Sequence, residues 1–213
     1  MARRAFTLVE LMVVVAIIGI LVGIIVPSAR AIQRESRNTG CMANLRQDFA
    51  AIDSFRLQRN GQLPMCEFLP VVTETGIDGG LPKLLGGFIP AESPAWLCPA
   101  DEDEESTATG TSYVYLPGLL RYSPVVQADV VTLLMTFDAS SMTMDQLNAV
   151  RLDAEARAMT AFYETEGTKY PLLIDSQDRH RRVGSERNGV FTDGSARIAE
   201  IDPPDEPPPG ALP

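Results

Sequence analysis

Apolar residues are concentrated at the start of the chain. Residues 6–26 read FTLVELMVVVAIIGILVGIIV, and Glu10 carries the only charge in this run. A helix rises 1.5 Å per residue, so a run of this length spans about 30 Å, the thickness of a bilayer core. The run therefore predicts a membrane-spanning helix. Pro27 follows directly and predicts a kink, because proline removes one backbone hydrogen bond.

A second helical pattern follows the apolar run. Residues 27–59 carry charges throughout. Their larger apolar side chains repeat at intervals of three and four residues: Met42, Leu45, Phe49 and Ile52. This spacing places them on one face of a helix. Asn60 and Gly61 form a stop signal. We therefore expect one long helix whose second half packs on a globular head.

Residues 60–201 predict that head, with an α+β fold. Its first part is rich in proline and glycine, which indicates an irregular connection. Strand-like segments follow at 111–116, 130–137, 170–174, 189–191 and 196–201. Asp193-Gly194 predicts the turn of a hairpin between the last two segments. Residues 144–164 show helical spacing, and Thr143 and Gln146 are placed as a capping box. Antiparallel strands packed against the long helix make the α+β class.

The formal net charge of −10 restricts the partners of the head. Nucleic-acid-binding proteins normally present a basic surface, so we expect no nucleic-acid partner. The acidic run at 101–105 predicts a solvated loop. A calcium site is the alternative, since calcium prefers oxygen ligands, but the run lacks the Asx and Gly spacing of a calcium loop. Residues 202–213 are acidic and proline-rich and predict a disordered tail.

The cysteines and the single histidine give little chemistry at the sequence level. Cys41, Cys66 and Cys98 show no C-x-x-C spacing, which argues against a zinc ribbon. If the head is exported, a Cys66–Cys98 bridge would leave Cys41 as an odd thiol. The alternative is three reduced, partly buried thiols. His180 with scattered carboxylates is too little for a catalytic or metal centre, so we expect no catalytic residue and no metal.

The first five residues form a short basic leader. A secretory signal peptide places its small-residue cleavage site after the apolar stretch, so that the stretch is lost on maturation. Here the small residue Ala5 comes before the stretch. Cleavage between Ala5 and Phe6 would therefore keep the membrane helix in the mature protein.

These features resemble the processing and N-methylation motif of type IV pilins and type II secretion pseudopilins. The resemblance covers residues 1–30 and rests on the leader, Phe6, Glu10 and the apolar tract. The family usually has glycine where this chain has Ala5. The resemblance implies that a prepilin peptidase cleaves after Ala5 and methylates the new amino group of Phe6.

The resemblance also implies a role for Glu10 in assembly. An ionised carboxylate within an apolar helix costs about 2.5–3.5 kcal/mol on insertion scales unless a cation offsets it. In a staggered stack of subunits, the Phe6 amine of a neighbour can reach the Glu10 carboxylate. This ion pair offsets the cost of burying the carboxylate and sets the register between neighbouring subunits of the polymer.

By resemblance, the chain is a structural subunit of a type II secretion pseudopilus or type IV pilus. Its partners would be other pilin-like subunits, the prepilin peptidase, an assembly ATPase and an inner-membrane platform. The basic leader should stay cytoplasmic, which places the head in the periplasm before assembly. The alternative is a membrane-anchored periplasmic binding module or adhesin that does not polymerise. An anchored enzyme has no support from catalytic motifs.

His180 contributes a second, more local resemblance. Together with Asp193-Gly194 it resembles a C-terminal signature of a bacterial subgroup of prepilin-like proteins, in which nine residues separate His from Asp-Gly. Twelve residues separate them here, which implies a local insertion. We expect a structural role for His180, in a loop tied to the hairpin turn.

Overall fold

The computed structural model describes residues 8–102, 104–138, 142–180 and 187–199. Helix α1, Leu8–Gln58, has 51 residues and is about 77 Å long at 1.5 Å per residue. It continues through Pro27, which lies inside the helix. The stop signal is confirmed: Asn60 and Gly61 both adopt positive φ, 52° and 83°. The Gly61 amide donates to the Arg56 carbonyl at 2.8 Å, so these two residues end the helix in a left-handed cap.

The two halves of α1 lie in different surroundings. Residues 8–28 are all exposed, and the first buried residue of the helix is Asn38. Beyond it, the predicted apolar stripe packs on the head. Leu45 and Ile52 are fully buried, and Met42 and Phe49 pack against the same core. The head therefore holds only the C-terminal part of the helix.

A four-stranded antiparallel sheet forms the centre of the head, in the order β3-β4-β5-β6. Its strands are β3 (Tyr113–Tyr115), β4 (Leu173–Asp175), β5 (Arg187–Val190) and β6 (Ala196–Ala199). Helix α1 packs against β5 and β6. The α+β fold, with a long N-terminal helix on a small antiparallel sheet, is confirmed and is pilin-like.

Three helices are inserted between β3 and β4: α4 (Leu116–Leu120), α5 (Pro124–Leu134) and α6 (Met144–Glu166). The predicted strand at 130–137 is wrong, because most of this segment lies in or directly after α5. Ser123 caps α5 by accepting from the Val126 amide, and Pro124 occupies its first turn. Helix α6 is confirmed, with both hydrogen bonds of the capping box between Thr143 and Gln146.

The proline- and glycine-rich part of the head is more regular than predicted. It contains a small hairpin, β1 (Val71–Thr73) with β2 (Gly76–Asp78), and two short helices, α2 (Gly80–Leu84) and α3 (Glu104–Thr109). A 3-10 turn, Pro94–Trp96, buries the indole of Trp96 in the core. The solvated loop predicted for 101–105 needs correction as well, because α3 begins at Glu104 and the Asp101 side chain is buried.

The β5–β6 hairpin is confirmed and packs on α1. Gly194 has φ 76°, a conformation that side chains with a Cβ adopt at a cost. A Cβ at Gly194 would also lie 2.9 Å from Cε1 of Phe49. The Asp193-Gly194 turn therefore lies directly on the buried stripe of the long helix.

Candidate functional site

The N-terminal half of α1 is the most exposed apolar surface of the described residues. An 18-residue window reaches a mean hydropathy of 3.0 with none of its residues buried. By length and composition this helix could cross a membrane. Exposed apolar surface of this extent marks a membrane or protein contact. The N-terminal half of α1 therefore indicates membrane anchoring near the N-terminus.

The residues predicted for processing and assembly lie at this end of the chain. Ala5 and Phe6 lie outside the described residues. Glu10 is in the first turn of α1 and is exposed. The helix runs through Pro27, and the kink there stays a prediction.

Cys66 and Cys98, predicted as a possible disulfide, contact different neighbours. Cys41, Cys66 and Cys98 are all free thiols. Burial raises the pKa of Cys66 to about 12, with a smaller lowering effect of the nearby Arg121 charge. Cys98 lies instead against His180. The structure therefore does not show the Cys66–Cys98 bridge.

A compact polar cluster lies where α1 joins the head. Cys41 comes from α1, Cys98 from the loop after the 3-10 turn, Asp175 from the end of β4, and His180 from the loop that follows. One ligand atom from each residue lies within 4.8 Å of all the others. We call these four residues the C2DH cluster.

Short contacts connect the four members. Cys98 Sγ lies 3.2 Å from His180 Nε2, and the same nitrogen lies 3.6 Å from Asp175 Oδ2. Cys41 Sγ lies 3.3 Å from Asp175 Oδ1 and 3.6 Å from Oδ2. Cys41 and Asp175 are fully buried and Cys98 nearly so. Four metal-ligating groups thus converge on one small volume.

Neighbouring groups hold the cluster in place. The Asn188 amide donates to Asp175 Oδ2 at 3.0 Å. The Asn188 side chain donates to Asn38 Oδ1 at 2.8 Å, which links β5 to α1 within the buried region. The Tyr113 hydroxyl lies 3.4 Å from Cys41 Sγ. The backbone and side chains around the cluster therefore restrict its geometry.

A buried ion pair supports the loops that carry Cys98 and His180. Arg179 Nη2 lies 3.0 Å from Asp101 Oδ2, with both side chains about 5% exposed or less. Arg179 also donates to the Ser112 carbonyl at 3.2 Å. The Ser112 hydroxyl donates to Asp101 and accepts from the Cys98 amide at 2.8 Å. This network connects the two loops on either side of the cluster.

The surroundings shift the pKa values of the two thiols in the cluster in opposite directions. A hydrogen bond from Cys41 lowers the pKa of Cys98 to about 5, against the effect of burial and with help from His180 and the Ala100 amide. The hydrogen bond to Cys98 and burial raise the pKa of Cys41 well above its ordinary value. Burial and the Cys98 charge raise the pKa of Asp175 to about 6. Burial lowers the pKa of His180, but the hydrogen bond to Cys98 and the charges of Cys98 and Asp175 outweigh burial. The pKa of His180 is therefore raised.

The geometry does not fit a Cys-His-Asp catalytic relay. Such a relay needs the nucleophile on one ring nitrogen of the histidine and the carboxylate on the other. Here Cys98 and Asp175 both face Nε2 of His180. Cys98 is also buried, with only 3% of its surface exposed. Among the described residues, this arrangement gives no support for nucleophilic catalysis.

Clefts border the cluster at His180 and at Cys98. A cavity of about 540 Å³ has His180 and Asn38 in its wall and is bordered by Arg34 and Arg37 of α1. A second cavity, of about 530 Å³, has Cys98 in its wall. His180 and Cys98 therefore each border a cleft.

Sequence reasoning missed this cluster because its members are far apart in the chain. Cys41 and Asp175 are separated by 134 residues, and Cys98 and His180 by 82. Metal motifs are recognised by local spacing such as C-x-x-C. The only local signal was the pair Asp175 and His180, which lie five residues apart.

Comparison with known proteins concerns the N-terminal segment. The prokaryotic N-terminal methylation motif matches residues 1–26. No curated protein and no solved structure matches the chain. The motif implies processing by a prepilin peptidase and pilin-type assembly, and it marks structural proteins rather than an enzyme family. The chain thus combines a prepilin-type signature at residues 1–26 with an exposed apolar helix and an α+β head, a combination similar to that of type IV pilin-like and pseudopilin-like proteins.

Proposed function

We propose that this chain is a structural subunit of a type II secretion pseudopilus or type IV pilus, polymerised through the N-terminal half of α1. One observation carries the proposal: the apolar half of a single continuous helix is exposed, while the other half is built into the head. An apolar helix requires lipid or other helices around it. Lipid surrounds it in the inner membrane before assembly, and neighbouring subunits surround it in the filament.

The surface of this half suits close packing between helices. Gly19 and Gly23 are four residues apart, and a Cβ built at either position meets nothing within 4 Å. Small residues at this spacing let helix backbones approach closely. The remaining surface is large and aliphatic, which supports association by packing.

Glu10 sets the register in this proposal. Its carboxylate lies in the first turn of an apolar helix, where a charge is costly unless a cation is near. The methylated amine of Phe6 on the next subunit supplies that cation. A prepilin peptidase, an assembly ATPase and an inner-membrane platform are the partners that processing and polymerisation require, and the head lies in the periplasm.

The mature N-terminus tests the processing step. We expect mass spectrometry of the native protein to show N-methyl-Phe6 as the first residue. A native protein that retains Met1 would contradict the proposal and favour a plain membrane anchor for a binding module or adhesin.

Substitution of Glu10 tests the assembly step. We expect Glu10→Ala to insert and be processed like the wild type but to be lost from sheared or pelleted filaments. Glu35→Ala is the matched control, because Glu35 is an exposed carboxylate of the same helix beyond the apolar run. Wild-type filament levels with Glu10→Ala, or an equal loss with Glu35→Ala, would refute the role of Glu10.

A further inference from the structure

We propose that the C2DH cluster is a structural zinc site, in which Cys41, Cys98, Asp175 and His180 bind one zinc ion. The site is independent of leader processing and of the apolar half of α1. It reverses the expectation from the sequence that the head holds no metal.

The distances agree with tetrahedral coordination. Zinc bonds of about 2.3 Å to sulfur and about 2.0–2.2 Å to nitrogen or oxygen place neighbouring ligands about 3.3–3.8 Å apart. Asp175 Oδ2 lies 3.6 Å from His180 Nε2 and 3.6 Å from Cys41 Sγ. Cys98 Sγ lies 3.2 Å from His180 Nε2. These three separations lie within a few tenths of an ångström of that range, and every other pair of ligand atoms lies within 4.8 Å.

The ligand set selects the metal. Two thiolates, an imidazole and one carboxylate suit zinc, whose structural sites are four-coordinate with nitrogen and sulfur ligands. Calcium requires six to eight oxygen ligands. Four protein ligands also complete the coordination shell, which is the property of structural zinc sites rather than catalytic ones.

The cluster is more readily explained with a cation than without one. Asp175 is fully buried and lies beside two thiols that are themselves buried. A buried carboxylate is costly unless it is paired or coordinates a metal. His180, with Nε2 3.6 Å from Asp175 Oδ2, can balance this charge only while it carries a proton. Arg179, another buried cation, lies 3.0 Å from the Asp101 carboxylate. A divalent ion at the centre would balance the negative charge of the ligands.

The surroundings supply the supporting hydrogen bonds that metal sites need. The Asn188 amide orients Asp175, and the Tyr113 hydroxyl lies beside Cys41 Sγ. The amide of Cys98 is held by Ser112. Ligands that are fixed in this way bind a metal without much rearrangement. A cleft borders the site at His180.

The consequence of the site is a link between α1 and the head. Cys41 lies on the long helix, and the other three ligands come from the sheet and its loops. A bound ion connects segments 134 residues apart in the chain. Zinc would therefore fix the long helix to the head in addition to the apolar contacts.

Metal analysis of the full-length chain in mild detergent tests the proposal. We expect about one zinc per chain by inductively coupled plasma mass spectrometry, as for a closed structural site. After chelation, cobalt(II) added alone should restore one equivalent and give the charge-transfer absorption of thiolate ligands. Cys98→Ser and Cys41→Ser should each lower zinc affinity by more than the roughly 10–100-fold that loss of a supporting residue costs.

Cys66→Ser is the matched control, because Cys66 is the third free thiol and lies outside the cluster. It should retain the zinc stoichiometry and the cobalt spectrum of the wild type. If the serine variants do not fold, the wild-type stoichiometry and cobalt spectrum still decide the matter. A native Cys41–Cys98 disulfide, a wild-type chain without zinc, or zinc retained at wild-type affinity by Cys98→Ser would each overturn the proposal.

Discussion

Asp48 lies on the buried face of α1 and gives the sharpest prediction about stability. Its side chain is fully buried, and neither carboxylate oxygen has a hydrogen-bond partner among the described residues. Burial raises the pKa of Asp48 well above its ordinary value of 3.8. We expect Asp48→Leu to stabilise the protein at neutral pH, because leucine has the same branched shape and no polar atoms.

The magnitude follows from the cost of a buried polar group without a partner, about 1–3 kcal/mol. For a chain of this size, each kcal/mol shifts Tm by about 2–4 °C. Asp48→Asn removes the charge but keeps polar atoms at the site, so we expect a smaller gain. The two variants together separate the cost of the charge from the cost of the missing hydrogen bonds.

The gain should depend on pH in a defined direction. In the folded state Asp48 holds its proton to higher pH than in the unfolded state, so stability falls as pH rises from about 4 toward the raised folded pKa. The advantage of Asp48→Leu over the wild type should therefore shrink when the pH is lowered toward 4.

Trp96 provides the assay. It is the single tryptophan of the chain and is buried in the core, so its fluorescence reports unfolding of the full-length protein in denaturant. Unfolding curves for the wild type and both variants at pH 7 and pH 4 give the required differences. The contrary result is an Asp48→Leu variant that is less stable than the wild type by a similar amount at pH 7 and at pH 4. The carboxylate would then make favourable contacts, and the reasoning would be wrong.

Three further substitutions test other features of the head. Gly194→Ala should cost about 1–3 kcal/mol of unfolding free energy in denaturant, because the turn needs positive φ and the new methyl group meets Phe49. Arg179→Ala should cost about 3–5 kcal/mol by the same measurement, since it leaves the buried Asp101 charge without this ion pair. Thr143→Ala should cost about 0.5–2 kcal/mol, seen as a lower Tm, through loss of the cap of α6.

Each of these has a control or a contrary outcome within the same region. Gly87→Ala should change stability far less than Gly194→Ala, because no atom lies within 4 Å of a Cβ there. Arg37→Ala should cost about 0–1 kcal/mol, since the Arg37–Glu102 pair is exposed. Equal effects within either pair would refute the assigned cause, and an unchanged Tm for Thr143→Ala would refute the role of the cap.

The long helix and the hairpin were predictable because their signals are local. The periodic stripe of α1, its Asn60-Gly61 stop and the capping box of α6 are read directly from neighbouring residues. The strand predicted at 130–137 failed because its apolar, β-branched residues also suit a helix packed against α6. The Ser123-Pro124 start signal of α5 was present in the sequence and decides between the two.

The C2DH cluster could not be predicted in the same way. Its members come from α1, two loops and the end of β4, and only the folded topology brings them together. The burial of Asp101 likewise depends on Arg179, which lies far along the chain in another loop. Contacts of this kind are set by the packing of the head and leave no periodic trace in the sequence.

Under the proposed assembly, the change of surroundings along α1 determines how a subunit would bear mechanical load. In the proposed filament, tension would act on the apolar half of the helix, whose residues 8–28 are all exposed. Apart from the exposed Arg37–Glu102 ion pair, the load would pass through the buried part of the helix, which begins at Asn38. Asn38, Cys41 and Leu45 are the first buried residues to receive the force. The strength of attachment between helix and head is therefore set within a few turns of this junction.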